Sequence, residues 1–326
     1  MSVARRTFIA GLGGAGAWPL AARAQQPALP VVAVLAPALT PTFLAALRKG
    51  LGEAGYGEGR NVTVEYRGLS GDYSRSAEVV ADLVKRRVAV IVATGGSATV
   101  LAATGATATI PIVFGVAEDP VKLGLVASLA RPGGNATGVN FFNAEVIGKR
   151  LRLLHDLVPK AVRIAVLLQP ANSAGTEATL QQTDEVARAL GLQIETFKAQ
   201  TVEAIDAAFA TFSRDRPDAL FVAPDGFFVV RAVQFAILAA RERIPAAYGQ
   251  RDHVAVGGLM SYGANSADWY SQIGVYAGRV LKGAKPADLP VVQSTKFEFL
   301  INLQTARALG IEVPPNLLTI ADEVIE

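Results

Sequence analysis

The chain of 326 residues contains no cysteine and only two histidines, His155 and His253. Without cysteine it cannot form disulfides, use a thiol in catalysis, bind a metal through sulfur or carry a lipid on an N-terminal cysteine. The histidines lie about a hundred residues apart, and neither has the partners of a metal-binding motif. No complete nucleophile elbow or phosphate-binding loop occurs either. We therefore expect no metal, no cofactor and no enzymatic activity.

Acidic residues are absent from residues 1–24, which contain Arg5, Arg6 and Arg23. Removing these three from the 31 basic residues leaves 28, which equals the number of acidic residues. The body of the chain is therefore neutral, although the whole chain has a net charge of +3. This balance gives no electrostatic reason to expect a nucleic-acid partner.

The same first 24 residues have the pattern of an export signal. Arg5 and Arg6 precede Thr7-Phe8-Ile9, and a weakly apolar, glycine-rich stretch then leads to Ala22-Arg23-Ala24. A basic start, an apolar middle and an A-x-A end are typical of a secretory signal. The paired arginines resemble the twin-arginine type. We expect cleavage before Gln25 and a freely soluble protein in the periplasm.

No long apolar run of the chain has the character of a membrane helix. The uncharged stretch Val88–Ala117 is long enough to span a bilayer, but it contains Gly95-Gly96, Gly105 and Pro111. A better interpretation is strand, turn, helix and strand, with both strands buried on two faces.

The rest of the chain alternates short β-branched runs with amphipathic helices, and 51% of all residues are apolar. Repeated β-α units predict parallel sheets with helices on both faces. Two such series predict an α/β fold of two doubly wound lobes joined by a hinge of several strands. We assign residues 25–142 with 253–285 to the first lobe, and residues 143–252 with 286–326 to the second. Helices are predicted over Pro120–Ala130 and Phe227–Arg243, among others.

Ligands of such sheets bind at the carboxyl ends of the strands, where this chain has small, polar and aromatic residues. Ser97 is at least a helix cap and is also a candidate ligand contact. Asp225 fits either a helix cap or the counter-charge of a bound ammonium group. Asn172 and Ser173 are turn residues or ligand contacts. Tyr248 and Tyr262 belong either to the core or to a surface that stacks on a ligand ring, and Trp269 is expected to lie near this cleft.

Several motifs occur in the order found in one known family. They are Leu51-Gly-Glu-Ala-Gly-Tyr56, Gly59-Arg-Asn-Val62, Glu118-Asp-Pro-Val121, Arg131-Pro-Gly-Gly-Asn-Ala-Thr-Gly138, Lys282-Gly-Ala-Lys-Pro-Ala-Asp288 and Ile301-Asn-Leu303. The chain resembles, over nearly its whole length after residue 24, the ABC-transporter substrate-binding proteins that include tryptophan and tyrosine receptors. The resemblance implies a type I periplasmic binding fold, lobes that close on a ligand, and aromatic amino acids as the leading ligand class.

The resemblance also implies roles for individual residues. Ser97 and the neighbouring amides, including that of Gly96, would receive a carboxylate, and Asp225 would meet the ammonium group. The cleft would further be lined by Glu118, Asn140 and Asn172. Many relatives have a hydroxyl residue at the position of Glu118, which leaves open whether the ligand is an α-amino acid.

The resemblance implies partners as well. We expect a monomer that binds a small molecule and docks on the membrane permease of an ABC importer. The alternative is a ligand-sensing module for a membrane signalling receptor, which the same fold can serve.

Overall fold

A computed structural model describes residues 28–94, 96–141 and 144–326. The predicted export signal over residues 1–24 and its cleavage before Gln25 lie outside these residues. Within the described part, no helix is both long and apolar enough to cross a membrane.

Thirteen strands, twelve α-helices and two short 3₁₀ helices, Tyr73–Arg75 and Pro286–Asp288, occur in the described residues. The strands are β1 Val31–Ala36, β2 Thr63–Gly68, β3 Val90–Thr94, β4 Ile112–Val116, β5 Ala136–Asn140, β6 Arg163–Leu168, β7 Gln193–Lys198, β8 Ala219–Val222, β9 Ala246–Tyr248, β10 Met260–Ala264, β11 Val292–Gln293, β12 Phe297–Asn302 and β13 Glu323–Ile325. The helices are α1 Pro41–Glu53, α2 Ser76–Lys85, α3 Ser97–Ala106, α4 Ala144–Leu157, α5 Ser173–Leu190, α6 Val202–Phe212, α7 Gly226–Val229, α8 Ala232–Glu242, α9 Arg251–Ala255, α10 Ser266–Leu281, α11 Leu303–Leu309 and α12 Pro315–Ile320.

The strands form two sheets, one in each lobe. The first has six strands in the order β11-β5-β4-β3-β1-β2, and all of its pairs are parallel. The second has seven strands in the order β13-β12-β10-β9-β8-β6-β7. Only the pairing of β10 with β12 is antiparallel among the described strands of this sheet. The predicted α/β fold of two doubly wound lobes is therefore confirmed.

The apolar faces of the helices cover these sheets. Helix α1 begins where predicted, because the Thr40 side chain accepts a hydrogen bond from the Phe43 amide and Pro41 takes the first helical position. Phe43, Leu47 and Leu51 follow at helical spacing and are buried in the core of the first lobe. Helix α10 packs beside α1 in this lobe.

The chain crosses between the lobes three times, which forms the hinge. The crossings lie between β5 and α4, between β10 and α10, and between β11 and β12. Sheet membership differs from the predicted lobe bounds at two places. Strand β10 pairs within the second sheet, although residues 253–285 were assigned to the first lobe. Strand β11 pairs within the first sheet, although residues 286–326 were assigned to the second.

Two predicted helices differ from the structure. Pro120–Ala130 forms a series of turns, because Gly124 has φ +71° and this left-handed backbone ends the helical turn that Asp119 begins. Phe227–Arg243 is divided into α7 and α8. The interruption lies at Val230 and Arg231, where the backbone of Arg231 leaves the helical region with φ −114° and ψ 18°.

Candidate functional site

A cavity lies between the two lobes, at the carboxyl ends of the strands of both sheets. It contains about 480 Å³ of space not filled by protein atoms, part of it open to solvent. Its principal side chains are Glu118, Phe141, Trp269 and Tyr270 of the first lobe, and Asn172, Asp225 and Gln250 of the second. The backbone of Gly96 also borders it. Parallel sheets place these loops together because their strands all end at the same edge.

Asp225 is the most enclosed carboxyl group of the cavity, with 6% of its surface exposed. Its Oδ1 accepts hydrogen bonds from the Tyr73 hydroxyl (2.8 Å) and from the Phe227 amide (2.8 Å). The second of these bonds caps α7, which is one of the two roles that the sequence predicts for Asp225. Its Oδ2 accepts from Asn172 Nδ2 (3.1 Å). Burial raises the pKa of Asp225 to about 6 even though these three donors act in the opposite direction.

Two side-chain hydrogen bonds join the lobes directly at the cavity. One is the bond from Tyr73, on a 3₁₀ turn of the first lobe, to Asp225 in the second. The other runs from Ser97 Oγ to Asn172 Oδ1 (3.1 Å). All four side chains are buried. The lobes are therefore closed over the cavity.

Asn172 and Ser97 have different roles at their helix ends. Asn172 caps α5, since its Oδ1 also accepts from the Gly175 amide. Ser97 does not cap α3, as the sequence had suggested, because it is the first residue of that helix. Gly96 occupies the cap position with φ 150° and offers no side chain. The amides at the start of α3 therefore have no side-chain cap.

Glu118 and Asn140 have buried oxygens without a hydrogen-bond partner among the described residues. In Glu118 the atom is Oε2, and burial raises the pKa of this carboxyl. In Asn140 the atom is Oδ1, while its Nδ2 donates to the backbone oxygens of Val116 (3.2 Å) and Glu118 (2.7 Å). Asn140 thus supports the loop that carries Glu118.

Aromatic rings form the first-lobe wall of the cavity. Phe141 and Trp269 stack with their ring centroids 4.4 Å apart, and the ring centroids of Trp269 and Tyr270 lie 3.7 Å apart. Gly115 makes room for this arrangement, because a Cβ there would lie 2.9 Å from the Trp269 ring. Trp269 lies near the cleft as predicted. Phe141 and Tyr270 were not predicted, although Phe141 directly follows a strand end and Tyr270 is next to Trp269.

Ser97 and Asn140 are not among the residues that line the cavity, although the cleft was expected to contain them, and three further predicted site residues lie away from it. Ser173 is exposed on the first turn of α5. Tyr248 is fully buried in the core of the second lobe, where its ring stacks on His253 with centroids 4.4 Å apart. Tyr262 packs beside Phe297 and Phe299, and Lys149 Nζ lies 4.5 Å from its ring centroid. Both tyrosines thus take the core role that the sequence had left open.

Arg150 is an unpredicted buried charge below the second-lobe wall. Its Nε donates to the Tyr262 backbone oxygen (2.7 Å), but Nη1 and Nη2 have no hydrogen-bond partner among the described residues. Burial lowers its pKa to about 9. Gly249 lies between this guanidinium and Pro224, which borders the cavity, because a Cβ on Gly249 would lie 3.1 Å from Arg150 Nη2 and 2.9 Å from Pro224 Cβ.

No group of histidine, aspartate and glutamate side chains in the described residues could hold a metal ion. His253 is enclosed in the core of the second lobe, and burial lowers its pKa to about 4. His155 lies on α4. The cavity combines carboxyl groups, an uncapped helix end and aromatic rings, a set of groups suited to holding a small polar molecule with an apolar part.

Comparison with known proteins finds two relatives that are each 26% identical to this chain. A tyrosine-binding protein of Clostridioides difficile strain R20291 is 26% identical over 268 residues, which cover 81% of this chain and 75% of that protein. An ABC domain from Streptococcus pneumoniae in complex with L-Trp is 26% identical and superposes with a TM-score of 0.80, covering 91% of this chain and 100% of that one.

Two further structures share the fold. A conserved domain protein of Vibrio cholerae has a TM-score of 0.82 at 24% identity and covers 90% of this chain and 99% of its own. A substrate-binding protein with adhesive properties from Clostridium difficile, in its ligand-free open structure, has a TM-score of 0.62 at 23% identity and covers 91% and 99%.

The family match extends over almost all of the described chain. Residues 31–325 match the family described as ABC transporter substrate binding protein. Its members are solute receptors and not enzymes, which confirms the prediction made from the absence of catalytic motifs. The chain belongs to the ABC transporter substrate-binding protein family.

Proposed function

We propose that this chain is a periplasmic receptor that binds a small molecule with an amino group and an aromatic or other apolar part, and delivers it to the permease of an ABC importer. The observation that carries this proposal is the position of Asp225 in the same cavity as the rings of Phe141, Trp269 and Tyr270. A relative that binds tyrosine and a solved structure with bound L-Trp support the ligand class.

Each group of the cavity has a place in this proposal. The Asp225 carboxylate pairs with the ligand's ammonium group, since it has three hydrogen bonds but no positively charged side chain beside it in the cavity lining. The aromatic rings contact the apolar part. A ligand carboxylate, where one is present, lies at the uncapped amides of Gly96 and Ser97 at the start of α3.

A thermal-shift screen is the first test of binding. A ligand that binds only the folded state raises the melting temperature by mass action. The panel contains amino acids, aromatic amines and aromatic acids, and calorimetry then measures the affinity of each candidate. Acids without an amino group should not bind. Tight binding of such an acid, with no binding of any amine, would contradict the proposed role of Asp225.

Trp269 provides a test that closure accompanies binding. The sequence contains two tryptophans, Trp18 and Trp269, and cleavage before Gln25 would leave only Trp269. Because this ring lies in the cavity wall, a ligand should change its emission in a saturable way. Small-angle scattering should show a smaller radius of gyration at the same ligand concentrations, because receptors with open lobes close on the ligand. An unchanged scattering radius with a ligand confirmed by calorimetry would argue against closure.

Export is tested with the paired arginines of the predicted signal. Changing Arg5 and Arg6 to lysine should leave unprocessed chain in the cytoplasm, because twin-arginine transport depends on this pair. Mass spectrometry of the exported wild type should show Gln25 as the first residue. The control changes another adjacent pair, Arg86 and Arg87, to lysine and should be exported normally. Normal export of the first variant would contradict the twin-arginine assignment.

Uptake of labelled ligand separates transport from sensing. A strain that lacks this protein should import less of the ligand found by calorimetry, and the wild-type gene should restore uptake. Unchanged uptake, together with a lost transcriptional response to the ligand, would favour the sensing module.

A further inference from the structure

The side chains that line the cavity have an unbalanced charge. Two of them are acids, Glu118 and Asp225, and none is lysine, arginine or histidine among the described residues. Arg150, a buried cation of the second lobe, does not line the cavity. The carboxyl groups are also close enough for Glu118 to raise the pKa of Asp225 further.

The hydrogen-bonding groups of the cavity likewise favour a ligand that donates hydrogen bonds. Both oxygens of Asp225 accept bonds from the protein, but Glu118 Oε2 is buried without any donor among the described residues. An ionised carboxylate can only accept hydrogen bonds. A bound molecule that donates a hydrogen bond to Glu118 would satisfy this atom, and an acceptor there would be repelled.

The helix ends that face the cavity compensate little of this negative charge. The starts of α5 and α7 are already capped by Asn172 and Asp225. Two helix starts at the cavity lack a side-chain cap: that of α3, which begins after Gly96, and that of the five-residue helix α9, which begins after Gln250. One helix start is equivalent to roughly half a positive charge. The start of α3 can hold one ligand carboxylate, but it does not balance two protein carboxylates.

The aromatic wall also favours a positively charged ligand. The rings of Phe141, Trp269 and Tyr270 border the same space as the two carboxyl groups. The face of an aromatic ring attracts a cation placed within about 6 Å of its centroid. Rings and carboxylates around one space thus form an environment for a positively charged group.

We infer that the receptor selects ligands with a net charge of +1, whose protonated nitrogen atoms are shared between Asp225 and Glu118. This inference rests on the proposed function, because it concerns the ligand of the same cavity. A zwitterionic amino acid would neutralise Asp225 and leave Glu118 without a counter-charge. Two kinds of molecule have the required charge: an aromatic monoamine without a carboxyl group, and an amino acid with a second basic group.

Matched ligand pairs test the inference by calorimetry on the full mature chain. Tryptamine and L-tryptophan differ only in the carboxyl group, as do tyramine and L-tyrosine, and L-lysine and L-arginine represent the second kind. Wild-type protein should bind the amine of at least one pair, or a basic amino acid, at least tenfold more tightly than the zwitterions. Preference for the amines identifies the first kind of ligand, and preference for the basic amino acids identifies the second.

Glu118→Gln tests whether this residue is responsible. The substitution keeps the shape of the side chain and should reduce the preference for the cation about tenfold. Glu118→Asp keeps the charge and should retain most of that preference, while Glu53→Gln, an exposed acid of the same lobe, should change nothing. Circular dichroism confirms that each variant is folded.

The outcomes separate this inference from the proposed function. Tighter binding of L-tryptophan or L-tyrosine than of every cation, with the same ratio in Glu118→Gln, would overturn the inference and leave the receptor function intact. If none of the six molecules binds, the thermal-shift screen supplies the ligand, and a neutral or anionic ligand would overturn the inference. A cationic ligand whose affinity falls at least tenfold in Glu118→Gln would support it.

Discussion

The two walls of the cavity differ in how firmly their polar groups are held. On the second-lobe side, Asp225 and Asn172 each cap a helix, and a hydrogen bond joins them to each other. On the first-lobe side, Glu118 has a buried oxygen without a partner among the described residues, and the remaining contacts are made by aromatic rings. The second lobe thus presents a fixed charge, and the first lobe presents surfaces that a ligand completes. Substitutions in the second lobe should therefore remove the pairing with the ligand's ammonium group, whereas substitutions in the first lobe should change the selectivity among ligands.

The largest effect should come from removing the fixed charge. Asp225→Ala leaves the ligand's ammonium group without its counter-charge and should weaken binding by about 2–5 kcal/mol. It also removes the cap of α7 and the bond to Tyr73. Calorimetry measures the affinity, and Asp184→Ala, an exposed acid of the same lobe, is the control. A loss below about 1 kcal/mol would reduce Asp225 to a helix cap.

The pH dependence of binding should report the same charge. A cationic ligand pairs with ionised Asp225, whose pKa in the empty cavity is raised to about 6. Affinity should be constant above this pH and fall as the pH decreases below it, by about tenfold between pH 7 and pH 5. Glu118 has a raised pKa as well and would act in the same direction, while Tyr73 stays protonated because its pKa is also raised.

Asp225→Asn is the control for this profile. Its affinity should be low and should change much less over the same range, because the amide does not titrate. A flat profile in the wild type would show that the ligand does not pair with a group that titrates near pH 6.

A smaller effect is expected from the rings of the first lobe. Trp269→Leu keeps an apolar side chain but removes the stacking surface, and binding should weaken by about 1 kcal/mol. Trp269→Phe should recover most of this loss. Because Trp269 is buried against Phe141, thermal unfolding of both variants is measured in parallel. Unchanged affinity in Trp269→Leu would show that the ligand does not contact this wall.

The smallest effect concerns the hydrogen bond between Ser97 and Asn172. Ser97→Ala removes a neutral bond that joins the lobes, so affinity should fall by about 0.5 kcal/mol, roughly a factor of two. Ser173→Ala is a matched control, because Ser173 is exposed next to the partner of this bond. Equal effects of both substitutions would argue against a role for the Ser97 hydroxyl in closure.

Local signals in the sequence were sufficient to predict much of the fold and part of the site. Strands such as Val31–Ala36 are buried on both faces and therefore appear as continuous apolar runs. Helix starts at Thr40 and Asp225 depend on side chains that bond amides two or three residues away. Residues at strand ends, such as Glu118 and Asn172, border the cavity because the topology of parallel sheets places them there.

The remaining features depend on contacts between distant segments. Tyr248 also ends a strand, but its ring packs into the core because His253 stacks on it, and nothing in the local sequence indicates this contact. The bond between Tyr73 and Asp225 joins residues 152 positions apart. The stack of Phe141 on Trp269 similarly requires the chain to return to the first lobe after completing β10.

The direct bonds between the lobes have a consequence for timing. Because Tyr73–Asp225 and Ser97–Asn172 need no ligand atom, an empty receptor can close by itself, and the ligand finds its site only while the lobes are apart. The rate of ligand association then scales with the fraction of time spent open, since only that fraction can accept a ligand. For a membrane partner that recognises closed lobes, empty closed receptors would act as competitors of loaded ones. These two bonds would thus set how often the receptor is open to a ligand and how many empty closed receptors compete at the membrane.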